Sequence, residues 1–202
     1  MKNIIMEKKL NGKKIAILAT NGFEQSELEK PLEILKKNGA IVDIISMQRG
    51  KIKGWKNHNW GDEFEANIDI EEANCNLYDA LVLPGGVMNP DQLRLSRHVI
   101  AFVKAFMERD RPIAAICHGP WTLIETKKLQ GKKMTSYRSL RTDLINAGVQ
   151  WVDEEVVVDG RLITSRDPKD LPAFCEKLVE ELSKINAEDK PILDNLRDFF
   201  LQ

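Results

Sequence analysis

The sequence predicts an α/β domain: a doubly wound, mostly parallel sheet with helices on both faces and a small β-hairpin excursion. Three observations carry that expectation. Short, mainly apolar runs recur at Ile15–Ala19, Ile41–Ile45, Tyr78–Leu83 and Ile113–Ile116, as suits strands buried on both faces. Between them lie stretches with apolar residues at helical spacing. The polar and glycine residues that could do chemistry follow the ends of the runs, where ligands sit in parallel sheets.

Taken in order, residues 1–12 read as a polar lead-in ending at Asn11-Gly12, a loose extension or short edge element. The first run leads into Thr20-Asn21-Gly22-Phe23-Glu24, a loop, and then a helix from about Ser26 with Leu28, Leu32 and Leu35 on one stripe. Asn38-Gly39 stops it before the second run. Residues 49–65 break the alternation and read as a hairpin whose Trp55 and Trp60 are exposed or cover a partner. Asp69–Ala73 suggests a short helix, and Tyr78–Leu83 runs into Pro84-Gly85-Gly86, where backbone can approach closely. A helix from about Ser96 carries Val99, Val103 and Phe106 on one face. Lys133–Ser136 reads as a short strand and Leu140–Ala147 as a helix. Val156-Val157-Val158 and Arg161–Thr164 face each other across Asp159-Gly160, a strong hairpin signal. A helix from Asp170 follows, with Cys175 on its apolar stripe.

The chemistry centres on Ile113-Ala114-Ala115-Ile116-Cys117-His118-Gly119-Pro120-Trp121. A buried strand runs into Cys117, and Pro120 suits the first turn of a helix. Ala115 and Gly119 flank the bend two residues either side, the arrangement of a nucleophile elbow with Cys in place of Ser. A thiol at a helix start is expected to ionise more readily than a free cysteine. His118 is a candidate base beside it. A buried structural cysteine is the plainer alternative.

Composition narrows the classes. Lys+Arg is 30 against Asp+Glu 31 over 202 residues, a balance that gives no electrostatic case for nucleic acid or an anionic membrane. No apolar run approaches a bilayer span. The first nine residues lack the apolar core and cleavage site of a signal peptide, and three unpaired cysteines suit a reducing compartment, so a cytoplasmic protein is expected. His58, His98 and His118 are too scattered to suggest a metal site, and no cofactor is expected. Cys75, in a polar loop, reads as incidental, and Cys175 as core.

Ala115-Ile116-Cys117-His118-Gly119-Pro120-Trp121 resembles the nucleophile motif of the PfpI family, in the ThiJ/PfpI superfamily of flavodoxin-like, class I glutamine-amidotransferase relatives. The resemblance spans about residues 13 to 183, and includes Asn21–Glu24, Asp79–Gly86, Thr135-Ser136-Tyr137 and Val156–Arg166. It implies a cysteine nucleophile at Cys117 with His118, and a carboxylate at Glu24 beside the thiol whose plainer reading is a solvated helix-start residue. PfpI-like proteins can bring a carboxylate from a neighbouring subunit to the histidine. Asp91 in Pro84–Arg94 is the best match, at the cost of a one-residue gap, with a helix N-cap as its alternative. Gly85 and Gly86 match an oxyanion-binding loop and Tyr137 a site tyrosine; Ser136 and Arg138 are weaker candidates.

The implied protein is a stress-related cysteine enzyme, glyoxalase- or deglycase-like on small reactive carbonyls and their adducts, or a peptidase. It would work as a homodimer or larger homo-oligomer with Asp91 acting across the interface. The alternative is a redox or electrophile sensor, or chaperone-like stress protein, using oxidation of Cys117. A purely structural domain would leave the elbow cysteine unexplained. Residues 186–202 lie outside the resemblance and carry Ile192, Leu193, Leu196, Phe199 and Phe200 as an apolar stripe that must be covered by this chain or another.

Overall fold

In the computed structural model, which describes residues 8–185, alternate residues of the first strand feed two separate cores. Lys14–Leu18 (β1) sends Ile15 and Ile17 to one face of the sheet, and Ala16 and Leu18 to the other. Phe23–Glu24 (β2) leads directly into Gln25–Lys37 (α1), and Ile41–Ser46 (β3) returns beside β1. Gly50–Lys56 (β4) and Asn59–Ala66 (β5) form the hairpin, and Ile68–Asp69 (β6) ends on the sheet edge. Ala80–Leu83 (β7), Met88–Leu93 (α2), Arg97–Glu108 (α3), Ile113–Ile116 (β8) and Pro120–Ile124 (α4) follow. Lys133–Met134 (β9), Arg141–Asn146 (α5) and Gln150–Trp151 (β10) precede the last unit. That unit is Val156–Asp159 (β11), Leu162–Ser165 (β12) and Leu171–Ser183 (α6).

The main sheet has the order β11-β12-β8-β7-β1-β3-β6, parallel except for β11. Leu28 and Leu35 of α1 share one core with Leu171, Phe174 and Leu178 of α6. On the other face Val99, Phe102 and Phe106 of α3 pack with Leu123 of α4 and Leu144 of α5. The expected doubly wound α/β architecture is the one found. The chain crosses from β1 to β3 on one side and to β7 on the other, so the switch point lies where β1 and β7 end side by side.

Several local expectations change. The lead-in is tied down over its described part: Leu10 is fully buried and its N–H donates to Asn38 O at 2.9 Å. The 49–65 excursion is a full hairpin turning at Asn57-His58, both with positive φ, and it pairs through β2 with the loop after β1. Trp55 and Trp60 meet edge to face at 5.6 Å, so each covers part of the other, and Trp60 stays 47% exposed. Asp69–Ala73 is not helical, because Asp69 closes the β6 pairing and turns the chain. The short helical turn falls later, at Cys75–Leu77, where Asn74 caps by accepting from Asn76 N–H. β9 pairs with β10 in a two-stranded sheet of its own. No described helix is long and apolar enough to cross a membrane. The apolar stripe from Ile192 to Phe200 lies outside the described residues.

Candidate active site

Cys117 sits just past β8 with φ of 59°, a left-handed conformation that costs a non-glycine residue about 1–2 kcal/mol. The bend is fixed on both sides: Cys117 N–H donates to Ser165 O at 3.1 Å, and Cys117 O accepts from Tyr137 N–H at 2.9 Å. The side chain is 6% exposed. Pro120 is the first residue of α4, as expected, yet α4 runs for only 5 residues. Its dipole is therefore weaker than a helix start would lend. Burial pushes the Cys117 thiol up, and Glu27 adds to this; the N–H groups of Gly86 and His118 act in the opposite direction. The expected easy ionisation of an elbow thiol does not follow from this site.

The carboxyl group beside the thiol belongs to Glu27. Glu24 stands outside α1 as its N-cap residue and turns its carboxylate to the Ser26 hydroxyl, which donates at 3.1 Å. Three residues later the helix has turned inward, and Glu27 is fully buried. Glu27 Oε2 accepts from Gly85 N–H at 2.8 Å, and the carboxyl is hydrogen-bonded to Cys117. Oε1 has no other N–H or O–H partner among the described residues. Burial raises the Glu27 pKa to about 8, with Glu24 and Asp167 adding to the effect against the Gly85 hydrogen bond. At neutral pH Glu27 is thus a neutral acid beside sulfur. Its sequence signal was an acidic residue on the buried stripe of α1, in line with Pro31 and Leu35 at four-residue steps.

His118 supplies the base. Its Nδ1 lies 3.2 Å from Cys117 Sγ and its Nε2 lies 3.1 Å from Ser139 Oγ. Burial lowers the imidazole pKa below its ordinary value, so the ring is neutral near pH 7. With the proton on Nε2 shared with Ser139, Nδ1 is left to accept from the thiol. Tyr137 stacks on the ring at 4.7 Å and is 40% exposed, forming the outer wall. Ser139 was not singled out in the sequence, since a serine 21 residues away carries no local pattern. Ser136 instead accepts from the Trp151 indole at 3.0 Å.

Gly85 lies between acid and nucleophile, and a Cβ there would come within 2.7 Å of both Cys117 Cβ and His118 N. Gly86, at φ of 76°, aims its N–H at the sulfur. A buried side chain absent from the sequence reading holds this loop. Asn89 accepts from Thr20 N–H at 2.8 Å and donates to Pro84 O and Gly85 O at 2.9 and 3.1 Å. Asn89→Ala leaves those buried groups unpaired, and we expect it to cost about 1–3 kcal/mol, read as a lowered Tm. A variant melting with the wild type would show that water replaces the amide.

Asp91 is exposed within α2 rather than capping it, since the N-cap residue is Val87. The two His118 ring nitrogens face Cys117 and Ser139, and among the described residues no hydrogen bond or ion pair joins Asp91 to either. No group of three or more His, Cys, Asp or Glu among the described residues could hold a metal ion.

The DJ-1/PfpI family profile matches residues 13–181, a span that holds the strand, the left-handed cysteine and the following histidine. The chain belongs to that family. DJ-1/PfpI relatives of this chain include general stress protein 18 of Bacillus subtilis (strain 168), 43% identical over 175 residues, covering 86% of this chain and 99% of that protein. Deglycase PfpI of Pyrococcus furiosus is 41% identical over 169 residues, covering 84% of this chain and 99% of the relative. Among solved DJ-1/PfpI structures, Drosophila melanogaster DJ-1beta superposes with a TM-score of 0.77 at 28% identity, covering 88% of this chain and 92% of that one.

Proposed function

We propose that this DJ-1/PfpI protein is a cytoplasmic, stress-related cysteine enzyme that removes small carbonyl adducts from amines, as the name of its Pyrococcus relative suggests. The observation that supports this most is the neutral His118 Nδ1 at 3.2 Å from a buried Cys117 thiol, with a second acid, Glu27, on the same sulfur. Such a thiol reacts through general-base catalysis rather than as a standing thiolate. In a carbinolamine adduct the C–N bond breaks as the Cys117 sulfur bonds to the amine-bearing carbon, the thiol proton passing through His118 Nδ1 to the departing amine. The adduct's neighbouring carbonyl oxygen would lie within reach of the Gly86 and His118 N–H groups. The hemithioacetal left on sulfur then reopens: the C–S bond breaks, its hydroxyl proton passes to sulfur, and the small carbonyl compound leaves. Neutral Glu27 places no second negative charge beside the transition state.

The reading extends to a homodimer. Val87 and Leu95, 57% and 83% exposed, bracket Asp91 on the α2 side of the site, which suits a face covered by another copy. Asp91 would then reach the partner's site from that face. A second reading, Cys117 as an oxidation sensor, draws on the same acid, which can donate to an oxidised sulfur.

The test compares turnover of methylglyoxal-treated amino acids, free methylglyoxal and peptides by wild type, Cys117→Ala and Glu24→Gln. Adduct turnover should fall by about a thousandfold or more in Cys117→Ala and stay near wild type in Glu24→Gln. Mixed Cys117→Ala and Asp91→Ala subunits should regain activity that neither has alone. Adduct turnover independent of Cys117 would overturn the enzyme reading. Full activity in a monomer by light scattering would overturn the shared site.

A further inference from the structure

Next to the elbow lies a small polar pocket of ≈ 170 Å³, walled by Tyr137 and Arg138 after β9 and by Arg166 and Lys169 after β12. Each wall starts beside a backbone bond that fixes the nucleophile. Tyr137 N–H donates to Cys117 O at 2.9 Å, and Ser165 O, one residue before Arg166, accepts from Cys117 N–H at 3.1 Å. The Tyr137 ring that stacks on His118 at 4.7 Å therefore borders both the base and this pocket. None of the pocket's charged groups has a part in the chemistry at sulfur.

Sorting the polar groups by partner shows what the pocket lacks. Arg166 is held by two carboxylates: buried Asp170 accepts from Nε and Nη2 at 2.8 and 3.1 Å, and Asp153 accepts from Nη1 at 2.9 Å. Asp167 accepts from the Lys169 backbone N–H at 2.9 Å as the cap of the turn Pro168–Asp170. The Ser136 hydroxyl donates to Tyr137 O and accepts from the Trp151 indole. What is left is a set of donors. The Tyr137 hydroxyl, the Arg138 guanidinium and the Lys169 ammonium line the pocket, and none of these side-chain ends makes a hydrogen bond or ion pair with a described residue. Two free cations thus face one carboxylate, Asp167, which its own turn already engages. Unmatched donors of this kind suit an acceptor from outside, and a guanidinium beside an ammonium suits a carboxylate.

We propose that this pocket is a carboxylate subsite, and that it takes the carboxylate of the compound whose amine carries the adduct. Clefts that hold whole drug-sized ligands run to about 300–1,000 Å³, so this one takes only the end of a substrate. The adducts it selects are those on free amino acids and on residues at a chain's C-terminus. A residue inside a chain has its carboxyl group in an amide and offers no anion. The use of the pocket in turnover rests on the adduct reading above, whereas the binding stands apart from it.

Binding is read first, with compounds that carry no adduct. ¹⁵N-labelled wild type is titrated with Nα-acetyl-lysine, with its neutral amide and with free lysine. The acetylated acid should shift the backbone N–H signals of Tyr137, Arg138 and Lys169 and bind about tenfold more tightly than the amide. Free lysine binding better than the acetylated acid assigns the carboxylate to free amino acids, and the reverse to chain ends; either supports the proposal. Equal affinity for acid and amide would overturn it. So would inorganic phosphate that matches the acid, since that marks an unspecific anion patch. Arg138→Gln/Lys169→Gln replaces two exposed side chains and should remove the preference; a preference that survives would overturn the assignment. Turnover then compares methylglyoxal-treated Nα-acetyl-lysine with the treated amide, as a ratio of kcat/KM within each protein. The ratio should be about ten in the wild type and near one in the double variant. A wild-type ratio near one, with acid-selective binding intact, would put the carboxylate outside the reaction and overturn its role as a subsite. Turnover of neither adduct would sink the adduct reading, and the titration alone would then decide the pocket.

Discussion

Glu27→Gln is expected to remove a steep pH dependence of stability. Unfolded, the carboxyl titrates near its ordinary value of 4.5; folded, burial moves it to about 8. Between those limits the native state holds a proton that the unfolded chain has released. Stability therefore falls as pH rises through the window, being fully present below about 4.5 and lost once the folded group ionises. Each unit of separation corresponds to about 1.4 kcal/mol, so the window spans a few kcal/mol. Glutamine can keep the acceptor toward Gly85 N–H but cannot ionise. Melting curves from pH 5 to 9 should show the wild-type Tm falling relative to the variant by roughly 2–4 °C for each kcal/mol lost. Parallel curves for the two proteins would mean that Glu27 is already ionised at neutral pH.

The same residue shows where the sequence stopped being readable. The four apolar runs, the Cys117 bend and the Asp159-Gly160 hairpin were visible because each is a local pattern with a fixed period or turn chemistry. The choice between Glu24 and Glu27 depends on which way a helix enters. Two strand residues ahead of α1 place Glu24 at the cap, and less than one turn of helix carries Glu27 inward. Position in the motif favoured the first acid after the loop; burial favours the one on the apolar stripe.

Ser139 and Asn89 were beyond reach for a different reason. Each is a polar residue whose partner lies on another element, Ser139 meeting His118 and Asn89 bridging Thr20 to Pro84 and Gly85. Such pairings arise from the sheet order, which joins the ends of β1, β7 and β8, and no spacing along the chain announces them. At the thiol, burial and the nearby Glu27 oppose the ionisation expected at a helix start, and His118 Nδ1 at 3.2 Å offers another route to activation. The elbow was readable; its proton chemistry was not.

Gly85→Ala is expected to give the largest loss of activity from a single methyl group. The added Cβ would lie 2.6 Å from Glu27 Oε2 and 2.7 Å from both Cys117 Cβ and His118 N. No real Cβ tolerates such contacts, and two of the three neighbours are not flexible side-chain ends. The strain falls on the elbow itself, so relief must move the nucleophile away from the acid or from the loop that carries Gly86 N–H. Overpacking of this kind costs about 1–3 kcal/mol in stability. A displacement near 1 Å of reacting groups costs about a hundredfold in rate. Gly131→Ala provides the control: φ is 76° there but a Cβ meets nothing within 4 Å, so it should cost about 1 kcal/mol of stability through backbone strain alone. Both variants should therefore melt below the wild type, while only Gly85→Ala loses adduct turnover and alters the Cys117 alkylation rate. Wild-type alkylation and turnover in Gly85→Ala would show that the loop yields freely, and the close approach of β7 to the elbow would then have no part in setting the thiol's position.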